Sequence, residues 1–129
     1  MIEVYIDGAS KGDPGLSGAG IFFKNVQEDS KFKIPLGNMN NHEAEFQALI
    51  HALKIAKERN YSILSIRTDS QAVDQAISKQ FAKREPYKSL LVEALKLMEQ
   101  FDLCFVKWIP AKENRVADQL AREAIHLNK

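Results

Sequence analysis

The chain has 129 residues, of which 45% are hydrophobic and 27% charged, and its formal net charge at pH 7 is +1. We expect one domain over residues 1–129 with a single buried core, because this length and composition are those of a soluble globular protein. No apolar run approaches the roughly 20 residues of a membrane-spanning helix, and the chain does not start like a signal peptide. The near-neutral charge does not indicate a nucleic-acid binder, although a local basic patch can suffice.

Hydrophobic periodicity predicts three strands and then a helix in the first half of the chain. Ile2, Val4 and Ile6 alternate with polar residues, as in a strand that stops at Asp7, and a loop of small residues follows over Gly8–Gly20. Asn40 would cap the helix, since Glu43 completes a capping-box pattern. The two further strands and the helix are predicted over Ala19–Lys24, Lys31–Leu36 and Asn41–Arg59.

The second half predicts strands that alternate with helices. Ile63–Asp69 is a strand that ends in an aspartate, and Ser70 caps the helix after it. Pro86 suits the first turn of the next helix. The last strand and helix are predicted over Leu103–Ile109 and Glu113–Leu127. The order predicts an α/β fold with a five-stranded mixed sheet: three antiparallel meander strands, then parallel central strands, with helices on both faces.

The chain has one cysteine, Cys104, which lies in the apolar last strand without a partner. We interpret it as a core residue, because an unpaired buried cysteine behaves as a small hydrophobic side chain. Cysteine usage of this kind fits a reducing compartment and predicts a cytoplasmic protein.

Four carboxylates occupy positions that the predicted sheet would bring together. Asp7 and Asp69 each end a strand, and the two strands would be parallel neighbours whose side chains emerge at the same edge. Glu45 heads the apolar stripe of its helix, and Asp118 lies in the first turns of the last helix. Taken singly, each has a simpler explanation, because Asp-Gly is a common turn and acidic residues near a helix start interact favourably with its dipole.

If the four carboxylates converge, their negative charges must be neutralised. Two charges about 5 Å apart repel by roughly 3 kcal/mol at an effective dielectric constant of about 20, so protons or cations must neutralise them. Oxygen ligands without a nearby His or Cys set favour Mg²⁺ or Mn²⁺ over zinc. Two such ions are suited to the attack of water on a phosphodiester.

Four short motifs are spread over nearly the whole chain: Tyr5–Ser10 with Gly12–Gly15, Asn41–Glu45, Thr68–Gln71 and Asn114–Ala121. They resemble the motifs of type 1 ribonuclease H and come in the order of that family. The resemblance implies the ribonuclease H fold and cleavage of the RNA strand of RNA–DNA hybrids with two divalent ions. It also implies the metal ligands: Asp7 would bind both ions, Glu45 and Asp69 one of them, and Asp118 the other.

The same resemblance implies where the hybrid would bind. Small groups at Gly8–Ser10 allow close approach to a wide, shallow minor groove, and Asn41 and Gln71 match positions where the family contacts the hybrid. The predicted nucleic-acid contacts are Gly8, Ala9, Ser10, Asp13, Asn41, Gln71, Lys83 and Arg84. The alternative is that Gln71, Lys83 and Arg84 belong to an ordinary solvated surface.

Three positions depart from the family pattern. The loop Pro110–Glu113 lacks the histidine of many members, Asp13 stands where Asn is usual, and Asn40 stands where Thr is common. From the motifs as a whole, we predict a monomeric endoribonuclease with no membrane partner, and we keep two alternatives. One is a ribonuclease H-like module that binds nucleic acid but cleaves it weakly or not at all, and the other is a DNA nuclease on the same fold.

Overall fold

A computed structural model describes all 129 residues of the protein, and its elements follow the predicted order. Strands β1 to β5 comprise Ile2–Ser10, Gly15–Lys24, Lys31–Met39, Ile63–Thr68 and Leu103–Trp108. Helices α1 to α4 comprise Asn41–Glu58, Gln71–Lys79, Tyr87–Met98 and Arg115–Ile125, and a 3₁₀ turn, Ala111–Glu113, precedes α4. No helix combines the length and the hydropathy that crossing a lipid bilayer requires.

The five strands form one mixed sheet in the spatial order β3-β2-β1-β4-β5. β1, β2 and β3 are antiparallel neighbours, whereas β4 runs parallel to β1 and to β5. This confirms the predicted mixed sheet, with one difference: β5 lies at the edge and is not central. Because β2 occupies one side of β1, each later parallel strand can add only on the other side, further from the centre.

The prediction of a loop over Gly8–Gly20 is wrong. β1 continues to Ser10 and β2 begins at Gly15, so only residues 11–14 separate them. The small residues form an antiparallel ladder, in which Gly8, Ala9 and Ser10 pair with Ala19, Gly18 and Ser17. Small side chains lower the apparent strand propensity of a segment, but backbone pairing decides the outcome when two such segments lie side by side.

Two glycines in this ladder allow helices to approach the sheet from opposite faces. A Cβ on Gly8 would lie 2.3 Å from the backbone carbon of Ala44 in α1, and one on Gly20 would lie 2.1 Å from the carbonyl oxygen of Ala117 in α4. Gly20 pairs with Asp7, and successive residues of a strand point to opposite faces. A larger residue at either glycine would therefore displace a helix that carries one of the candidate carboxylates.

The main core lies between the sheet and helices α1 to α3. It includes Val4 and Ile6 from β1 and Leu49 and Leu53 from α1, all 1% exposed or less. Cys104 is half-buried beside this core, and burial raises the pKa of its thiol to about 12. The cysteine is thus an unreactive packing residue, as the sequence indicated.

The predicted helix caps are present at both helices that lead away from the candidate site. The Asn40 side chain accepts a hydrogen bond from the Glu43 N–H at 2.8 Å, and the Ser70 hydroxyl accepts one from the Val73 N–H at 3.1 Å. Each cap satisfies a backbone donor that has no partner inside its helix. The caps therefore determine where α1 and α2 begin, close to Glu45 and Asp69.

Candidate active site

Three carboxylates meet at one edge of the sheet. Asp7 lies in β1, Asp69 directly follows β4, and Glu45 lies near the start of α1. Their carboxylate oxygens all lie within 4.8 Å of one another. Asp69 stands at the strand end as predicted, but Asp7 does not, since β1 runs three residues beyond it through the small-residue ladder.

Asp118 reaches the same place from the opposite face of the sheet but is not one of this close group. It lines the same cavity, and α4 carries it over β1 and β2. Its carboxylate forms an ion pair with Arg122, one turn later, at 3.2 Å. Of the four predicted carboxylates, the structure therefore brings three into mutual contact distance and leaves the fourth beside them with a cation of its own.

Burial and mutual repulsion make this cluster retain protons. Asp7 is only 8% exposed, and burial, together with the charge of Asp69 and the neighbouring Asp118 and Glu45, raises its pKa far above the ordinary range. Burial, with Asp69 as the second cause, raises the pKa of Glu45 to about 7. Burial also raises the pKa of Asp69, while the nearby side chains of Asp7 and Asn114 act in the opposite direction. A cation would have to displace these protons on binding.

The donor set fits a hard divalent cation. The three converging ligands are all carboxylate oxygens, which Mg²⁺, Mn²⁺ and Ca²⁺ accept and which tetrahedral zinc sites rarely use alone. Like charges in a poorly solvated site are unstable without compensation, and a divalent ion compensates two of them at once. The residues present are therefore suited to the metal chemistry that the sequence predicts.

The carboxylates line an open cavity of about 610 Å³ between the end of β1, the N-terminal end of α1 and one side of α4. Four of the predicted nucleic-acid contacts line it too: Gly8, Ala9, Ser10 and Asn41. The Ser10 hydroxyl donates to the Met39 carbonyl at 2.8 Å, which holds the end of β1 against β3. The remaining lining residues include Lys11, Arg122 and Ala111.

The other predicted contacts lie outside this cavity. Lys83 and Arg84 line a separate cavity of about 330 Å³, together with the exposed ring of Phe81 and with Tyr87. Gln71 is exposed as the first residue of α2, immediately after the Asp69–Ser70 step. Asp13 is exposed in the turn between β1 and β2.

Two residues beside the carboxylates were not predicted from the sequence. Arg122 follows Asp118 by four positions, a spacing at which helical side chains meet, so the ion pair had a visible signal. His42 is exposed, and its Nδ1 lies 3.5 Å from Oε1 of Glu45. Both residues place positive or protonatable groups at the rim of the carboxylate cluster.

A third residue, Asn114, begins the fourth motif, but the contact that its side chain makes had no local signal. It is 1% exposed, and its side-chain amide donates to the carbonyl of Ile6 at 2.8 Å, across 108 positions of sequence. No periodicity or spacing within a segment can indicate a contact of that separation.

The short loop without histidine forms the 3₁₀ turn Ala111–Glu113. Ala111 lines the carboxylate cavity, whereas Lys112 lines a different cavity beside Tyr5 and Phe22. Adjacent residues of this turn therefore face different surfaces, and only the first faces the carboxylates.

Comparisons with known proteins agree with this geometry. The family described as "Reverse transcriptase-like" matches residues 5–124. The "Putative hydrolase EbsB" of Enterococcus faecalis is 43% identical over 97% of this chain and 94% of its own length. The "Ribonuclease H" of Dichelobacter nodosus is 30% identical over 97% of this chain and 92% of its own length.

An archaeal protein adds a structural comparison. The "Ribonuclease HI" of Halobacterium salinarum is 31% identical over 96% of this chain, which spans 64% of that protein. A crystal structure of RNase H1 from Halobacterium salinarum superposes with a TM-score of 0.88 and 30% identity, over 98% of both chains. The likeness therefore extends over the whole sheet and all four helices.

Proposed function

This chain belongs to the reverse transcriptase-like, type 1 ribonuclease H family, and from that premise we propose that it is a metal-dependent endoribonuclease that cleaves the RNA strand of RNA–DNA hybrids. The observation that carries the proposal is the convergence of Asp7, Glu45 and Asp69, whose carboxylate oxygens lie within 4.8 Å of one another. Such a cluster, in a cavity open enough for a polynucleotide, has no stabilising role of its own because like charges in a buried site oppose folding.

Two divalent ions, Mg²⁺ or Mn²⁺, are the proposed cofactors. Asp7, Glu45 and Asp69 would hold one, and Asp7 with Asp118 would hold the other. Ions bound there would neutralise the carboxylates and act as Lewis acids in the hydrolysis of a phosphodiester by water. The contribution of the protein is a rigid set of oxygens: β1 and β4 fix two of them, and α1 and α4 bring the others from opposite faces of the sheet.

The hybrid is proposed to lie across the carboxylate cavity and the cavity beside it. Gly8, Ala9, Ser10 and Asn41 present backbone and small polar groups next to the carboxylates, and Gln71 follows Asp69 closely. Such groups suit contacts with 2′-hydroxyls in a wide minor groove. Lys83 and Arg84 would contact phosphates, with the exposed Phe81 ring beside them. Asp13, in the β1–β2 turn, would face the same nucleic acid.

We further propose that the chain acts as one domain over residues 1–129, as a monomer in the cytoplasm and without a membrane partner. The unpaired Cys104, with its thiol kept neutral by burial, supports a reducing location. The helix docking through Gly8 and Gly20 uses both faces of the central strands, which supports a core complete within one chain.

The test is an assay of strand-specific cleavage. Purified protein is incubated with end-labelled RNA–DNA hybrid, RNA duplex and DNA duplex, each with Mg²⁺, Mn²⁺ or a chelator. We expect cleavage of the RNA strand of the hybrid alone, and only with metal. Asp69→Asn should lose this activity. The matched control Asp102→Asn should keep it, because Asp102 is an exposed carboxylate just before β5, at the opposite end of the parallel strands from Asp69.

Two other outcomes would overturn the proposal in favour of the alternatives. Binding of the hybrid without cleavage in either metal would indicate a ribonuclease H-like binding module. Cutting of the DNA duplex would indicate a DNA nuclease on the same fold.

A further inference from the structure

Asn114 connects α4 to the central strand through a buried hydrogen bond. Its Nδ2 donates to the carbonyl oxygen of Ile6 at 2.8 Å, and the residue is 1% exposed. Ile6 directly precedes Asp7 and lies beside Thr68 in the parallel pairing of β1 and β4. The amide therefore contacts the sheet one residue before the points at which Asp7 and Asp69 project.

The Asn114 side chain does not cap its helix, although capping is the usual role of an asparagine at this position. Asn114 is the N-cap residue of α4, but its side chain accepts no hydrogen bond from the first turn. Its Oδ1 is buried and has no hydrogen-bond partner. Asparagine is among the best N-cap residues, and a buried acceptor without a donor is unfavourable, so this conformation gives up stability twice. Buried unsatisfied groups of this kind call for an explanation, often a functional one.

The position of Asn114 relative to the carboxylates supplies that explanation. The amide bonds to the carbonyl of Ile6, the residue directly before Asp7. The backbone N–H of Asp118 donates to the Asn114 carbonyl at 3.1 Å, in the first turn of α4. One residue thus contacts both the strand that carries Asp7 and the helical turn that carries Asp118.

We infer that Asn114 is a positioning residue that fixes the spacing of Asp7 and Asp118 and thereby sets the affinity of the site for divalent ions. The inference rests on the proposed function only in that the carboxylates are taken to bind metal. Groups that orient metal ligands from behind typically change metal affinity or activity by about 10–100-fold when they are removed. An effect of the same size is expected here, because the start of α4 would no longer be held to the middle of β1 by this hydrogen bond.

Asn128 offers a matched control at the other end of the same helix. Its Nδ2 donates to the carbonyls of Ser17 and Ile125 at 2.9 and 2.8 Å, and its Oδ1 accepts from the Gly37 N–H at 2.9 Å. It therefore fastens the C-terminal end of α4 to β2 and β3, and it bonds to none of the four carboxylates. Asn128→Ala should lower thermal stability without changing the metal site.

The experiment is a calorimetric titration of Mg²⁺ into metal-free protein without nucleic acid, for the wild type, Asn114→Ala, Asn114→Leu and Asn128→Ala. We expect about 10–100-fold weaker binding for both Asn114 variants and wild-type affinity for the control. Leucine keeps the branching of asparagine at Cγ and is somewhat larger, so it removes the amide without leaving a cavity, whereas alanine does both. Turnover at saturating hybrid should fall in the Asn114 variants, with little change in KM.

A second measurement needs no folded variant. In the wild-type protein, the side-chain amide resonances of Asn114 should shift during the Mg²⁺ titration while those of Asn128 stay unchanged. Wild-type Mg²⁺ affinity in the Asn114 variants, or an Asn114 amide that does not respond to Mg²⁺, would overturn the inference. A wild-type protein that binds Mg²⁺ but cleaves no hybrid would refute the proposed function alone, because none of these titrations depends on cleavage.

Discussion

At the scale of single residues, Asp7 has the most perturbed environment in the site. It is 8% exposed in the middle of the sheet and has three carboxylates around it. Its pKa is raised to about 9, so the metal-free protein carries it protonated at neutral pH. Asparagine closely mimics a protonated aspartate in shape and charge, which makes this position a sensitive test of function against stability.

Asp7→Asn should therefore separate the role of Asp7 in function from its role in stability. We expect metal-dependent cleavage to fall by more than about 100-fold, since even the supporting partners of metal ligands contribute about 10–100-fold. The free energy of unfolding in chelator at pH 7 should be equal to that of the wild type or higher. Urea denaturation of both proteins in chelator measures this, and a large drop in stability in Asp7→Asn would mean that Asp7 is a structural residue.

Glu45 gives a pH dependence with a defined sign. Its side chain is 11% exposed, and its pKa rises from the ordinary 4.5 to about 7 on folding. Between these values the folded state binds more protons than the unfolded state, so the metal-free protein loses stability as the pH rises from 4.5 to 7. Below this window the contribution vanishes, and above it the full cost of roughly 3 kcal/mol remains.

Glu45→Gln should remove this cost. We expect the variant to match the wild type near pH 4 and to be more stable by up to roughly 3 kcal/mol at pH 8, both in chelator. Denaturation curves over that pH range measure the difference. Glu58→Gln, at the exposed other end of α1, controls for the removal of one negative charge. A constant difference between Glu45→Gln and wild type at every pH would contradict the assigned proton uptake.

At the scale of elements, the 3₁₀ turn before α4 determines which side chains can reach the carboxylates. Ala111 lines the carboxylate cavity and Lys112 lines the cavity beside Tyr5 and Phe22. Family members that carry a histidine in this loop place a proton donor where this chain has none. The orientation of the turn therefore decides where such a group could be restored.

Ala111→His should increase turnover and Lys112→His should not. A general acid–base group contributes typically about 10²–10⁴-fold, and we expect a gain at or below the lower end because the turn is short. Single-turnover rates with saturating hybrid and Mg²⁺ compare the two variants with the wild type. Equal rates in all three would show that the missing histidine does not limit the reaction.

At the scale of the whole molecule, a net charge of +1 conceals a separation of charge. The acidic cluster occupies one cavity, and Lys79, Lys83 and Arg84 line the neighbouring one. We propose that these cations hold a polyanion that reaches the carboxylates, so that a local patch takes the place of a basic overall composition.

Hybrid binding should therefore depend on salt to a moderate degree. If this patch and its neighbours neutralise about four phosphates, the slope of log affinity against log salt should be about −3 to −4. The double variant Lys83→Gln/Arg84→Gln should reduce the magnitude of the slope by about 2, since each phosphate that is no longer neutralised lowers it by about 1. The control pair Lys57→Gln/Lys96→Gln, exposed elsewhere, should leave it unchanged. Binding is measured in metal chelator, and a slope near zero for the wild type would exclude the patch as a phosphate-binding surface.

The sequence alone determined the order of the elements, the caps at Asn40 and Ser70, the mixed sheet and the family. Each of these features depends on a few neighbouring residues: apolar side chains at every second position or with a period of 3.6, a capping side chain, or a short motif. The prediction that carboxylates would meet was of the same kind, because two strands ending in aspartate can be recognised as parallel neighbours without coordinates. The structure brings three of the four into contact distance.

The tertiary structure alone decided what depends on residues distant in sequence. The Gly8–Gly20 segment is strand and not loop because its small residues pair with one another and leave room for α1 and α4, which come later in the chain. β5 lies at the sheet edge because β2 already occupies the other side of β1. The bond from Asn114 to Ile6 spans 108 positions and leaves no local trace, since a single side-chain contact imposes no periodicity on the segments that it joins.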